Sequence, residues 1–205
     1  MLMAAAGNSG AGPTTLLSDS FTRANSAVSL GTADVGGTWT KNFATYGISS
    51  NKAYIASGLS NLSHNAAWLD PAVGDGTVSV DITLSATTDR ACGGLMLRRT
   101  DESNIIRVIL YKVSGLNRLE IQQMLTGGFT SLTHADSQGF VNGSTYTLKS
   151  VLSGTTVTAS INGTQILSTT VAAGLTGTQF GPTVYFETAN YDDGGTTFDN
   201  FLMTT

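Results

Sequence analysis

Gly76 to Ser85 alternates strictly: Val78, Val80, Ile82 and Leu84 fall on one parity, and Ser79, Asp81, Thr83 and Ser85 on the other. A period of two is a strand with one buried and one wet face, because successive side chains leave a strand on opposite sides. No stretch of the chain sustains a period of 3.6. Turn signals instead recur at short intervals: Ser50-Asn51, Asp70-Pro71, Thr126-Gly127-Gly128, Ser153-Gly154-Thr155 and Asn162-Gly163. With no βαβ alternation, this pattern predicts an all-β, antiparallel sandwich of two sheets.

The predicted strands are Leu16 to Phe21, Trp39 to Phe43, Gly47 to Ser49, Lys52 to Ala56, Asn65 to Leu69 and Gly76 to Ser85. Cys92 to Arg99, Ile105 to Val113, Arg118 to Leu125, Phe129 to Thr133, Tyr146 to Leu152 and Thr156 to Ile161 follow. Val184 to Ala189 and Phe198 to Met203 end the series. Asn162-Gly163 is the strongest hairpin signal, since Asn-Gly suits the positive φ angles of a type I′ turn.

The two ends of the chain carry matching signatures. An opening strand runs into Asp19, and a closing Phe198-Asp199-Asn200-Phe201 answers it. Pairing of the two would close a sheet. Alternation sends Phe198 and Phe201 to opposite sides, one to the core and one to an edge.

At 205 residues, with 40% hydrophobic residues, the chain can bury a core as one domain. Residues 1–14 read as a flexible arm, either a disordered end or an assembly element, and residues 15–205 as the sandwich domain. Charged residues make up only 12%, about half the usual share; Thr, Ser, Asn and Gly solubilise the surface instead. A net charge of −4 argues against nucleic acid as partner. Cys92 stands alone, which excludes an internal disulfide, and His64 and His134 are too isolated for a zinc site. No stretch approaches the roughly 18 apolar residues of a membrane span. The opening Met-Leu-Met-Ala-Ala-Ala lacks a basic segment, so no signal peptide is expected.

Three segments together carry a resemblance. Gly94-Leu95-Met96-Leu97-Arg98-Arg99-Thr100-Asp101-Glu102-Ser103-Asn104 resembles a strand-turn of concanavalin A-like, laminin-G-like jelly rolls. Tyr146 to Lys149 and Ser160 to Gly163 are similar to a hairpin of that family, and Phe198 to Phe201 to its last strand. The opening Asp19 to Trp39 segment resembles a variant found in tail and surface proteins of phages of actinobacterial hosts. The resemblance spans about residues 16 to 203. It implies a two-sheet antiparallel jelly roll of the lectin/glucanase type. It further implies a non-enzymatic virion protein, a minor tail or capsid-decoration subunit on the virion surface, homo-oligomeric and in contact with other virion proteins. The alternative is a carbohydrate-binding adhesion module for host surface glycans.

The hydrolases of this fold place their carboxylates on one strand as E-x-D-x-x-E. Here the glutamates are Glu102, Glu120 and Glu187, and no two acidic residues stand at i, i+2. Catalysis is therefore not expected. In related jelly rolls the final strand's Asp often ligates a structural Ca²⁺, which makes Asp199 a candidate ligand with Asp19 as a second. Otherwise Asp199 bonds backbone N–H groups near the chain ends. Arg98 is expected on the face of Gly94 and Met96, either paired with an acid or contacting a ligand. Trp39 and Trp68 are assigned to the core. Tyr46, and Tyr191 with Asp192 and Asp193 in a polar loop, are the candidate sugar contacts.

Overall fold

The computed structural model describes residues 12–60, 63–86, 90–113, 115–186 and 195–205. In chain order the strands are β1 (Thr15–Asp19), β2 (Thr40–Lys41), β3 (Thr45–Ser49), β4 (Lys52–Ser57) and β5 (Ser63–Trp68). Next come β6 (Gly76–Thr83), β7 (Arg90–Asp101), β8 (Asn104–Val113), β9 (Leu116–Leu125) and β10 (Gly128–Asp136). The last are β11 (Thr145–Ser153), β12 (Thr156–Ile161), β13 (Thr164–Thr170), β14 (Gln179–Phe186) and β15 (Thr197–Thr204). Among the described residues there is no helix. An eight-stranded sheet runs β13-β12-β11-β6-β15-β4-β3, with β1 joined to β15, and a seven-stranded sheet runs β10-β9-β8-β7-β14-β5-β2. Their ladders are antiparallel. The molecule is the two-sheet jelly-roll sandwich that the alternation predicts.

Val78, Val80, Ile82 and Leu84 are all buried between the sheets, each apolar side chain contributing about 1.5–3 kcal/mol. From the other sheet, Leu95, Leu97, Val108, Leu110, Leu119 and Ile121 enter the same core. Gly93 marks a close contact of the layers: a Cβ there would stand 2.8 Å from Ile82 Cγ2. The Asn162-Gly163 turn has φ of 50° and 83°, and Ser50-Asn51 has 52° and 59°, the positive values of type I′ hairpins.

The chain ends pair, with Leu17 opposite Met203 and Asp19 opposite Phe201. Phe198 and Phe201, however, are both in the core. The register of β15 against β6 shifts between Asp199 and Leu202, and Asn200 has φ +50°. This bulge adds a residue and returns Phe201 to the side of Phe198. Thr14 continues the ladder, its N–H donating to Thr205 Oγ1 and its carbonyl accepting from Thr205 N, each at 3.0 Å. Of the rest of the expected arm, residues 1–11 lie outside the described residues. Strand β14 begins five residues before the predicted Val184, because Gly181-Pro182 reads as a strand breaker.

Candidate functional site

The outer face of the seven-stranded sheet is the parity left over once the core residues are assigned. Register places Met96 opposite Arg107, Arg107 opposite Gln122, Gln122 opposite Ser131, Tyr111 opposite Arg118, and Ile109 opposite Glu120. This face carries long polar and aromatic side chains that cover the two central strands, so β7 and β8 are buried on both sides.

Arg107 is the centre of one group. Its side chain is fully buried, and its guanidinium carbon lies 3.9 Å from the Phe129 ring centroid and 4.7 Å from that of Tyr185. Nε and Nη2 both donate to Gln122 Oε1, at 3.1 and 2.5 Å. Gln122 Nε2 in turn donates to the Tyr111 hydroxyl at 3.3 Å. Nη1 is buried and has no partner. Burial lowers the pKa of Arg107, opposed by neighbours that include Tyr111 and Tyr185, but arginine starts so far above neutrality that it stays charged. Burial also pushes the Tyr111 hydroxyl up, so it is neutral at ordinary pH. Beside them Arg118 takes Asp136 on two nitrogens, at 2.6 and 3.3 Å, and its Nη1 stands 3.9 Å from Glu120. Arg107, Tyr111, Arg118, Glu120, Gln122 and Phe129 line a depression of ≈ 280 Å³, in which Phe129 is 43% exposed.

A second group sits on the β5 side of the same face. Arg99 lies over Trp68, 3.8 Å from its ring centroid. Its Nη2 donates to Glu102 at 2.6 Å and its Nη1 to Gln179 Oε1 at 2.5 Å. Glu102 also takes Asn42 Nδ2 at 3.0 Å and bonds His64 Nε2 at 2.9 Å. Burial alone would raise the pKa of Glu102, but bonds from His64, Asn42 and Arg99 overcome it and hold the carboxyl at about 2. Asn42 closes the group onto the β5 backbone, donating to His64 O and accepting from Ala66 N, each at 2.8 Å.

The sequence-predicted site residues fall elsewhere. Arg98 is not on the face of Gly94 and Met96. It sits at φ +47° where Met96 and Arg99 of β7 pair with Gly181 and Gln179 of β14, and the added residue gives the outer-face position to Arg99. Arg98 instead pairs with Asp75 and donates through Nε to Gly74 O at 2.8 Å, the acid-paired alternative. It borders a cavity of ≈ 550 Å³ with Val73 and Leu175. Tyr46 is fully buried, its hydroxyl donating to Asn65 O at 2.7 Å. It is a core residue, with no free face for a sugar. Tyr191, Asp192 and Asp193 lie outside the described residues. Trp39 is in the core as expected, while Trp68 lies on the outer face beneath Arg99.

Asp19, the second candidate calcium ligand, is engaged by protein donors on both oxygens. Its Oδ1 accepts from Phe21 N at 2.7 Å and Arg23 Nη1 at 3.0 Å. Its Oδ2 accepts from Trp39 Nε1 at 2.6 Å and Arg23 Nη2 at 2.5 Å. A carboxylate has about four acceptor sites, so none is left for a cation. Asp199 accepts Asn200 N at 2.8 Å, the backbone-bonding alternative. Burial raises its pKa, and the nearby Asp81 and Asp19 carboxylates add to the rise. Among the described residues no three His, Cys, Asp or Glu side chains converge as metal ligands.

Two signals in the sequence point to the Arg107 group. Arg107 interrupts an otherwise apolar strand, Ile105 to Tyr111, and Arg118, Glu120 and Gln122 alternate with the core residues Leu119 and Ile121. A charge in the middle of a central strand and a polar i, i+2, i+4 series both mark the outward parity of the sheet.

No family model matches the sequence, and no curated protein matches it. Among solved structures, the chain is similar to the carbohydrate binding module CBM66 from Bacillus subtilis, at 17% identity and TM-score 0.64, covering 82% of this chain and 95% of that one. It is also similar to a Bacillus subtilis protein of unknown function with a galectin-like fold, at 13% identity and TM-score 0.59, covering 81% and 88%. A third is the GH43 protein BlXynB from Bacillus licheniformis, at 14% identity and TM-score 0.66, where 91% of this chain spans only 39% of that one. These likenesses define a lectin-like jelly roll, the fold class named by the sequence.

Proposed function

We propose that the protein is a non-catalytic carbohydrate-binding module whose site is the Arg107 depression on the outer face of the seven-stranded sheet. The observation that carries this is a fully buried guanidinium with an unused Nη1, beside an acceptor (Glu120) and a partly exposed ring (Phe129). Sugar rings present apolar C–H faces and a rim of hydroxyls. An aromatic face meets the first, while a fixed donor and a fixed acceptor orient the second. Further support comes from the fold likeness to a structure described as a carbohydrate binding module.

Glycoside hydrolysis needs one carboxyl kept protonated opposite a second that is ionised. The acids near this face argue the other way. Asp136 is held below the usual carboxylate range by its bond from Arg118, and Glu102 is held at about 2. The virion-subunit reading rests on the resemblance of the opening segment to phage surface proteins, and it is compatible with glycan binding by an exposed sheet. Calorimetric titration against a panel of oligosaccharides tests the proposal. Binding that is lost in Arg107→Met and retained in Arg98→Met supports it, and no heat with any saccharide in the panel refutes it.

A further inference from the structure

Arg107 differs from the other paired guanidinium groups in one respect. Arg23 holds Asp19, Arg98 holds Asp75, Arg99 holds Glu102 and Arg118 holds Asp136. Arg107 is among the largest fully buried side chains of the described residues, and no carboxylate of those residues lies within ion-pair distance of it. Taking a charge out of water is expensive unless it is paired. Stacking on Phe129 and Tyr185 and the bonds to Gln122 offset part of that cost, but they supply no opposite charge. Gln122 occupies the edge formed by Nε and Nη2. The N–H groups of Nη1 and the remaining one of Nη2 are left, and together they form the end-on fork that fits the two oxygens of a carboxylate.

Glu120 limits what can bring that carboxylate. It is nearly buried on the same depression, and its nearest cation, Arg118, is 3.9 Å away and already committed to Asp136. A simple anion would meet its repulsion without compensation. A ligand that carries hydroxyls beside its carboxylate can donate to Glu120 while accepting from Arg107. We propose that the depression recognises a uronic acid residue of an acidic saccharide, its carboxylate on Arg107 and a ring hydroxyl on Glu120, with exposed Phe129 shifting to admit it. This rests on the reading of the face as a glycan site.

The test titrates the full chain with oligogalacturonate and oligoglucuronate, the same oligosaccharides after carboxyl reduction to the neutral sugars, a sulfated neutral oligosaccharide, and acetate. The inference predicts that the uronates bind at least tenfold more tightly than their reduced forms, that acetate does not bind, and that added salt weakens the uronate complex. Arg107→Lys, which keeps the charge and loses the fork, is expected to lose at least tenfold for uronates and little for neutral sugars. Equal or tighter binding of the reduced forms, or of the sulfated sugar alone, overturns the uronate assignment while leaving a glycan site in place. Failure of every saccharide overturns both. The wild-type comparison decides the matter even if Arg107→Lys does not fold.

Discussion

Arg99 and Arg107 stand on the same face of the same sheet, each stacked on aromatic rings and each bonded to a glutamine, yet they are built for different ends. Arg99 is neutralised by Glu102, which His64 and Asn42 also hold; its one orphan is Nε. Asn42 belongs to the segment just after β2, His64 to β5 and Glu102 to the turn after β7, so the Arg99 group ties three parts of the fold together. Arg107 has the stack and the glutamine but, among the described residues, no carboxylate at ion-pair distance, and its Nη1 has no hydrogen-bond partner. The first arrangement neutralises its charge within the chain. The second does not, and on the reading proposed above that difference separates a structural clamp from a binding site.

The largest expected effect breaks the comparison on the binding side. Arg107→Met should abolish saccharide binding in calorimetry, whereas Arg99→Met should leave it within a few-fold if the folded fraction is matched. On the stability side the order reverses. Glu102→Ala leaves Arg99 and His64 without their acceptor and should cost about 2 kcal/mol in chemical denaturation, less than a fully buried pair would because Glu102 is 40% exposed. Arg107→Met should fall within about 1 kcal/mol of the natural protein or exceed it, because an apolar group there removes an uncompensated charge. A large loss of stability in Arg107→Met would place Arg107 with the clamp.

The pH dependence sharpens the same contrast. Glu102 has its carboxyl lowered from 4.5 to about 2 by the fold, so the unfolded chain binds its proton first as pH falls. Its contribution is therefore complete above 4.5 and is lost as pH falls through about 2. Denaturation midpoints should decline across that window, and Glu102→Gln should flatten the decline. The smallest effect concerns Asp199, whose pKa is raised from 3.8. There the folded state holds the proton more tightly, so stability declines as pH rises from 3.8 through the folded value. Asp199→Asn, which keeps an acceptor for Asn200 N–H, should slightly raise the melting temperature at neutral pH and lose that gain in acid. A melt of the natural protein unchanged by chelator accompanies it.

Much of the frame is legible in the sequence because it depends on local rules. The alternation of Val78, Val80 and Ile82 states which face of β6 is inside, and Asn162-Gly163 states a turn type. What escapes is parity after a bulge. An added residue at Arg98 moves the outer-face position to Arg99, and another near Asn200 brings Phe201 inward; neither is marked by Gly or Pro, and both are paid in positive φ at an ordinary residue. Tyr46 and Asp19 look like surface chemistry because their partners, Asn65 O for one and Arg23 with Trp39 for the other, are chosen by tertiary packing. Arg107 is the reverse case. Its charge within Ile105 to Tyr111 is visible in the sequence, but its meaning depends on having no carboxylate at ion-pair distance among the described residues, which only the assembled sheet reveals.

The decisive question is where a saccharide docks. Backbone amide shifts of isotopically labelled protein, followed by nuclear magnetic resonance during titration with an oligouronate, test this directly. The predicted result is a set of shifts concentrated on β8, β9 and β10 around Arg107, Gln122 and Phe129, with Arg99 and Glu102 unmoved. Shifts gathered instead around Val73, Arg98 and Leu175, at the larger cavity across the sandwich edge, would contradict it.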